Sequence, residues 1–219
     1  EFFATASCDI NDFSNELNWM TEFIGECQND IGVYQVWYAP TTDAEFTVVG
    51  EVPVEMFIHD GLPSFKGCYK IRAIDRSGNE SEFSNTVCVD NCPNYRLPNV
   101  FTPGNGDDCN DLFSAFSGRN VQSESGDIDN CGTDLDPAKC ARFVESVEFT
   151  VFNRWGGPVY TYTGRAGSEN GIFIDWDGRG DNGRELSAGV YYYLANVRYD
   201  VVDPATANQQ IKGWVQIIR

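Results

Sequence analysis

Short runs in which apolar and polar residues alternate with a period of two, each closed by Gly, Pro or Asn, leave this chain little to fold into except β-sheets. In Val147-Glu148-Phe149-Thr150-Val151-Phe152 one side can pack while Glu148 and Thr150 face water. Residues 33–38, 46–49 and 68–74 mix β-branched and aromatic side chains in the same way, and 214–219 supply one more strand at the end of the chain. No helical periodicity competes. The turns have matching chemistry: the glycine pair in Asn153-Arg154-Trp155-Gly156-Gly157 permits the positive φ of a tight hairpin. Asp175-Trp176-Asp177-Gly178 opens a second turn-rich stretch before Val190-Tyr191-Tyr192-Tyr193-Leu194, with Trp176 as the expected core plug. The pattern predicts an all-β protein with two immunoglobulin-like β-sandwich domains in tandem, stapled by disulfides, and about seven strands in the second.

The division falls in Asn91-Cys92-Pro93-Asn94-Tyr95-Arg96-Leu97-Pro98, where two prolines interrupt regular structure. This predicts domains at 1–93 and 94–219. The 219 residues carry 15 Lys plus Arg against 33 Asp plus Glu, a net charge of −18, which opposes nucleic acid and anionic membrane as partners. No stretch reaches the roughly 18 apolar residues of a membrane span, so direct membrane insertion is not expected. The sequence opens EFFATAS, without a basic and apolar leader. It therefore reads as a fragment whose upstream part carried a secretory signal.

Eight cysteines with no CxxC, alongside a single histidine, favour disulfides over zinc, and hence a compartment outside the reducing cytosol. Gly78 lies midway between Cys68 and Cys88, so a hairpin turning at Ser77-Gly78-Asn79 sets those two sulfurs opposite one another. Cys8 and Cys27 pair by nearness within the first half. The remaining four allow three pairings, of which Cys92 with Cys140 and Cys109 with Cys131 are favoured.

Tyr69, Ile71 and Ala73, before a Gly-containing turn and a Ser-rich run, resemble the penultimate strand of a fibronectin type III domain. Trp19 and Tyr34 resemble that family's core Trp and Tyr. In the second half four motifs follow in order: LPNVFTPGNGDDCNDLF from Leu97, FVESVEFTVFNRWGGPVY, IDWDGRGDNGRELSAGVYYYLANVRY and IKGWVQIIR. Together they resemble the type B C-terminal sorting domain of the type IX secretion system, the gliding motility-associated C-terminal domain of Bacteroidota, across residues 97–219. Two departures stand out. The family reads TPNGDGxND where this chain has an extra Gly104 and has Asp108 in place of Gly, and a polar segment at 118–139 is longer than the family's.

The resemblance implies a non-enzymatic targeting module of a larger secreted surface protein, an adhesin or gliding factor. Such a module is exported through the periplasm to the cell surface by the type IX translocon with a PorP/SprF-type outer-membrane partner. No cofactor is required. The last strand ends with the chain and is expected at a sheet edge that a partner can extend. There Lys212 and Arg219 offer scarce positive charge, Gly213 leaves room for close approach, and Trp214 lies between them.

The other candidates are weaker. Asn105, Asp107, Asn110 and Asp111, with Asp108, offer oxygen ligands for calcium but lack EF-hand spacing; an Asx-rich turn explains them equally. Residues 127–132 also begin like an EF-hand, yet Cys131 and Ala138 occupy ligand positions. Arg179-Gly180-Asp181 spells an integrin tripeptide by chance, His59-Asp60 lacks a nucleophile and reads as a surface pair, and Asp175 with Asp177 serve a turn. Trp19, Trp37, Trp155, Trp176 and Trp214 are each expected in the core. The rival function is a calcium-dependent carbohydrate-binding or cell-adhesion module, with any exposed aromatics meeting the sugar.

Overall fold

The computed structural model describes residues 13–21, 30–105, 110–115 and 141–219. The alternating runs form eleven strands: β1 (Phe13–Asn18), β2 (Ile31–Ala39), β3 (Thr47–Val52), β4 (Met56–Leu62), β5 (Gly67–Asp75), β6 (Val87–Val89), β7 (Val100–Phe101), β8 (Val144–Phe152), β9 (Pro158–Arg165), β10 (Gly189–Tyr199) and β11 (Asn208–Ile217). Among the described residues the one helical element is a 3-10 turn at Pro204–Thr206. The protein is all-β. Its described residues fall into two compact units: one runs up to Asn91 and includes Val201–Thr206, the other comprises Cys92–Asp200 and Ala207–Arg219.

In the first unit β1 pairs with β4, and a second sheet runs β3-β2-β5-β6. Alternation turns Asn15 and His59, neighbours in the β1–β4 register, towards β5. Asn15 Nδ2 donates to the Tyr69 hydroxyl at 3.0 Å, and His59 Nδ1 stands 2.9 Å from the same oxygen. Trp19 meets Tyr34 edge-on at 5.4 Å. The two sheets therefore face one another as a sandwich. Burial pushes the Tyr69 phenol up to about 12. His59 is not the surface residue expected: it is half-buried, edge-on to Tyr38 at 4.8 Å, because residues 57 and 59 of β4 share the inward side.

The turn after β5 is organised by Asp75, whose Oδ1 accepts the backbone N–H of Ser77 and of Asn79, both at 2.8 Å, with Gly78 at φ +87°. The hairpin register then places Cys68 opposite Cys88, and the two form a disulfide. Between turn and bridge the returning chain forms no regular strand, because serine hydroxyls replace backbone carbonyls. Ser81 Oγ accepts from Ala73 N–H at 2.9 Å and Ser84 Oγ from Ile71 N–H at 3.0 Å. That arrangement delivers Phe83 to Lys70 Nζ, 4.0 Å from the ring centre, and Lys70 also lies 4.4 Å from the Phe46 ring. Arg72 stacks on Trp37 at 5.1 Å and pairs with Glu80. Cation–π contacts thus cover an otherwise apolar outer face.

In the second unit the order is β7-β11-β10-β8-β9, antiparallel except for β7 on β11, where Gln216 and Ile217 lie parallel to Val100 and Phe101. Val147, Phe149 and Val151 of β8, Tyr193, Ala195 and Val197 of β10, and Val215 and Ile217 of β11 bury one face. What covers it is not a second regular sheet: Phe113 and Trp176 exchange backbone hydrogen bonds at 2.8 and 3.0 Å, and Ala115 N–H donates to Phe173 O at 2.8 Å. Among the described residues five strands therefore stand where about seven were expected, with isolated bridges in place of the others.

Cys92 is an exposed free thiol rather than the partner of Cys140. Close by, Asn94 and Arg142 form an isolated antiparallel bridge. Cys8, Cys27, Cys109, Cys131 and Cys140, and the segments 118–139 and 127–132, lie outside the described residues.

Replacing Cys68 and Cys88 by Ser releases a loop of 20 residues, and urea unfolding should show the first unit weakened by about 3 kcal/mol, with the second unchanged. Burial holds the His59 imidazole below its ordinary value, opposed in smaller part by Asp60. The folded state thus prefers neutral His59, so the contribution is complete above pH 6.5, the unfolded value, and is lost as pH falls through it. Denaturation midpoints measured from pH 7.5 to 5 should fall, and His59→Gln should flatten that slope.

Candidate functional site

Period-two alternation decides what the second unit shows to solvent. On β10 and β11 the odd-numbered residues face the core and the even-numbered ones face out. Polar residues are the norm on such an outer face, yet Val190, Tyr192 and Trp214 stand there, with Val100 on β7 beside them. Tyr192 lies directly across from Trp214, and Phe152 of β8 flanks Tyr192 on its other side. Tyr192 is 54% exposed and Trp214 46%. Lys212 lies one step along, opposite Leu194, and makes no ion pair among the described residues. An apolar cluster of this kind marks an interaction surface more often than a scattered exposed side chain does.

The four residues expected to meet a partner separate. Lys212 and Trp214 belong to the exposed face. Gly213 points inward, where a Cβ would stand 2.3 Å from the Tyr193 hydroxyl oxygen and 2.4 Å from its Cζ; the space belongs to the protein's own tyrosine. Arg219 is engaged within the unit: Nε donates to Leu186 O at 3.1 Å, and Nη1 lies 3.6 Å from Glu185 Oε2. Nor is β11 an edge strand over its whole length, since β7 pairs with its last two residues. Residues 97–101 and 216–217 are too far apart in sequence for a local pattern to reveal that pairing.

Trp176 is the core plug, 1% exposed, with its Nε1 donating to Arg179 O at 2.6 Å. Trp155, expected in the core, is 77% exposed. Asn153 Oδ1 accepts the N–H of Trp155 and of Gly157, and the resulting turn leaves the indole outside with Arg154 stacked on it at 4.2 Å. Tyr192, Val190 and Val100 went unmarked in the sequence, although an aromatic on the polar side of an alternating strand was there as a signal.

The proposed calcium loop is held by its own hydrogen bonds. Asp111 Oδ1 accepts Gly104 N–H at 2.9 Å, Asn105 Nδ2 donates to Thr102 Oγ1 at 3.2 Å, and Asn110, at φ +57°, accepts Thr102 N–H at 2.8 Å through its carbonyl. Asp107 lies outside the described residues. No group of three His, Cys, Asp or Glu among the described residues is placed to hold a metal ion. In the Arg179-Gly180-Asp181 turn, Arg179 pairs with Glu185 at 2.9 Å and Asp181 accepts Thr161 N–H at 3.0 Å, so both charges serve the fold. Asp177 Oδ1 likewise accepts Arg179 N–H at 3.0 Å, and Asp175 Oδ1 accepts the Ser114 hydroxyl.

The family described as CHU_C, type IX secretion signal domain, matches residues 95–217, more than half of the chain. The chain belongs to the type IX secretion signal domain family. No curated protein matches it significantly. Among solved structures it is similar to the FN1–FN3 domains of chicken CNTN1, at 12% identity and a TM-score of 0.30, covering 92% of this chain and 62% of that one. It is also similar to dimeric latent PorU from Porphyromonas gingivalis, at 14% identity and a TM-score of 0.30, covering 94% of this chain and 18% of that one. The chain thus spans less than two thirds of the length of either.

A type IX secretion signal implies interaction with that secretion machinery and export across the outer membrane to the cell surface. The signal domain is non-catalytic as a module. Its matched stretch holds the sheet, the plug and the aromatic face just described. Gly213→Ala should destabilise the signal domain by about 1 to 3 kcal/mol, the range for overpacking. Adding Tyr193→Leu should recover part of the loss in thermal melts, since the smaller side chain vacates the space above the glycine.

Proposed function

We propose that the signal domain is the address of a larger surface protein, an adhesin or gliding-associated factor. In this reading a PorP/SprF-type outer-membrane partner of the translocon reads the solvent face of its sheet, and the first unit is a spacer between address and cargo. The supporting observation is the Tyr192–Trp214 pair, exposed side by side with Lys212 next to it, a cation that no described residue pairs, in a chain of net charge −18. Trp and Tyr are the side chains that most often dominate a protein interface. A lone cation at the rim selects an acidic counterpart and steers the encounter.

A second reading has its own support: exposed Tyr192 and Trp214, with the amide side chain of Gln216 two positions along the same face, offer the stacking planes and a hydrogen-bonding group that suit a glycan. Calcium at the loop containing Asp107 and Asp111 belongs to that reading.

The test is surface display of the full chain carrying Trp214→Ala, Tyr192→Ala or Lys212→Glu. Losing a dominant aromatic contact costs about 2 kcal/mol, or roughly thirtyfold in affinity. Display should therefore drop at least tenfold while melting temperatures match the parent. Parental display from all three folded variants would move the recognition site elsewhere. Calorimetric binding of a glycan, dependent on Trp214, would favour the second reading, more so if calcium strengthened it.

A further inference from the structure

The backbone of β11 carries a second surface, independent of its side chains. Gln216 N–H donates to Asn99 O and Ile218 N–H to Phe101 O, so the even-numbered backbone groups point away from β10. Alternation then turns the N–H and C=O of Gln210, Lys212 and Trp214 to the same outward side. β7 reaches only residues 216 and 217, and no hydrogen bond to these outward groups exists among the described residues. Three residues with two groups each leave six backbone sites in a row, spaced as a β-strand requires. The opposite edge of the sheet is treated differently: on β9, Thr161 N–H is capped by Asp181 Oδ1, Val159 O accepts Asp181 N–H, and Arg165 N–H donates to Asn170 O. The β9 edge is thus capped at three of its outward groups, whereas the β11 edge beside Lys212 and Trp214 has no such cap among the described residues.

We infer that this open edge accepts an extended segment of the secretion machinery as an added strand, continuing the line of β7. The inference rests on the sorting reading above and specifies its mode. Backbone pairing supplies the docking and side chains supply the choice. An incoming strand on this edge sets its outward side chains beside Lys212 and Trp214, so the fitting sequence carries an acidic residue two positions from an apolar one. A lysine on an exposed edge also discourages indiscriminate pairing, which narrows the occupants to strands with that complementary acid.

Proline at Gln210 separates backbone from side chain here, because it leaves Lys212 and Trp214 in place, removes a donor that none of the described residues of this domain uses, and is tolerated on edge strands with the N–H side outward. In the full chain, Gln210→Pro should melt within a few degrees of the parent and lose surface display at least tenfold. Thr163→Pro, on the opposite edge, should display normally. Amide hydrogen exchange of the free parent provides a reading that needs no variant: amides 210, 212 and 214 should exchange at least a hundredfold faster than 211 and 213. Equal protection of both sets overturns the inference, since the edge would then be occupied already. Parental display from the folded Gln210→Pro variant overturns strand addition while leaving the sorting reading intact. If a chain lacking residues 95–217 is displayed as well as the parent, the sorting reading and this inference fall together.

Discussion

The signal domain depends on the burial of one indole. Trp176 stands among Phe101 at 5.3 Å, Phe113 at 6.1 Å and Tyr160 at 5.2 Å, and its bridge to Phe113 is what passes for a second layer over the five-stranded sheet. An indole buries roughly 200 Å² of mostly apolar surface, worth about 5 kcal/mol as an upper estimate. That gain is large enough to hold the backbone where it would not otherwise go: Ile174 at φ +78° and Asp175 at φ +49° precede the tryptophan. Left-handed geometry at a β-branched residue costs about 1 to 3 kcal/mol, so the plug outweighs the turn that delivers it. With the inner face closed by irregular segments, the regular strands present an outer face that the described residues leave uncovered.

The first unit solves the corresponding problem with polar chemistry. Tyr69, 2% exposed, has its hydroxyl met by Asn15 from β1 and His59 from β4. Each partner sits on the strand pair opposite, so satisfying one phenol also fixes the register of the two sheets. A one-residue slip of β4 would turn His59 outward and bring Ile58 or Asp60 in. The Cys68–Cys88 bridge acts on a different quantity, the entropy of the unfolded hairpin, and leaves the face-to-face packing to the aromatic residues.

Local pattern accounts for what the sequence disclosed. Period-two alternation reads directly as strands, and a turn centred between two cysteines reads directly as a register, so β8, β10 and the Cys68–Cys88 pair were visible. The parallel seating of β7 on β11 was not, because its two partners are separated by more than a hundred residues and only the tertiary fold joins them. Gly213 was legible as a glycine but not as the floor beneath Tyr193, since the cross-strand neighbour depends on a register that sequence alone does not assign. Trp155 and Trp214 were misplaced for a common reason. Hydrophobicity says that an indole gains from burial, whereas position in a turn or on the outward phase of a strand says which side it occupies, and position prevails.

The two phases of β11 are not independent. Its odd-numbered residues, Val215 and Ile217 above all, are buried against the plug side, and that burial is what holds the even-numbered residues in one outward row. Tyr192 and Trp214 come together only once β10 and β11 are paired in register, and the outward backbone groups align only in the same state. In an unfolded chain these side chains are dispersed and the backbone groups are solvated at random. A partner that reads this face or this edge therefore recognises the folded domain and not its sequence, so recognition carries a check on folding that no linear motif could provide.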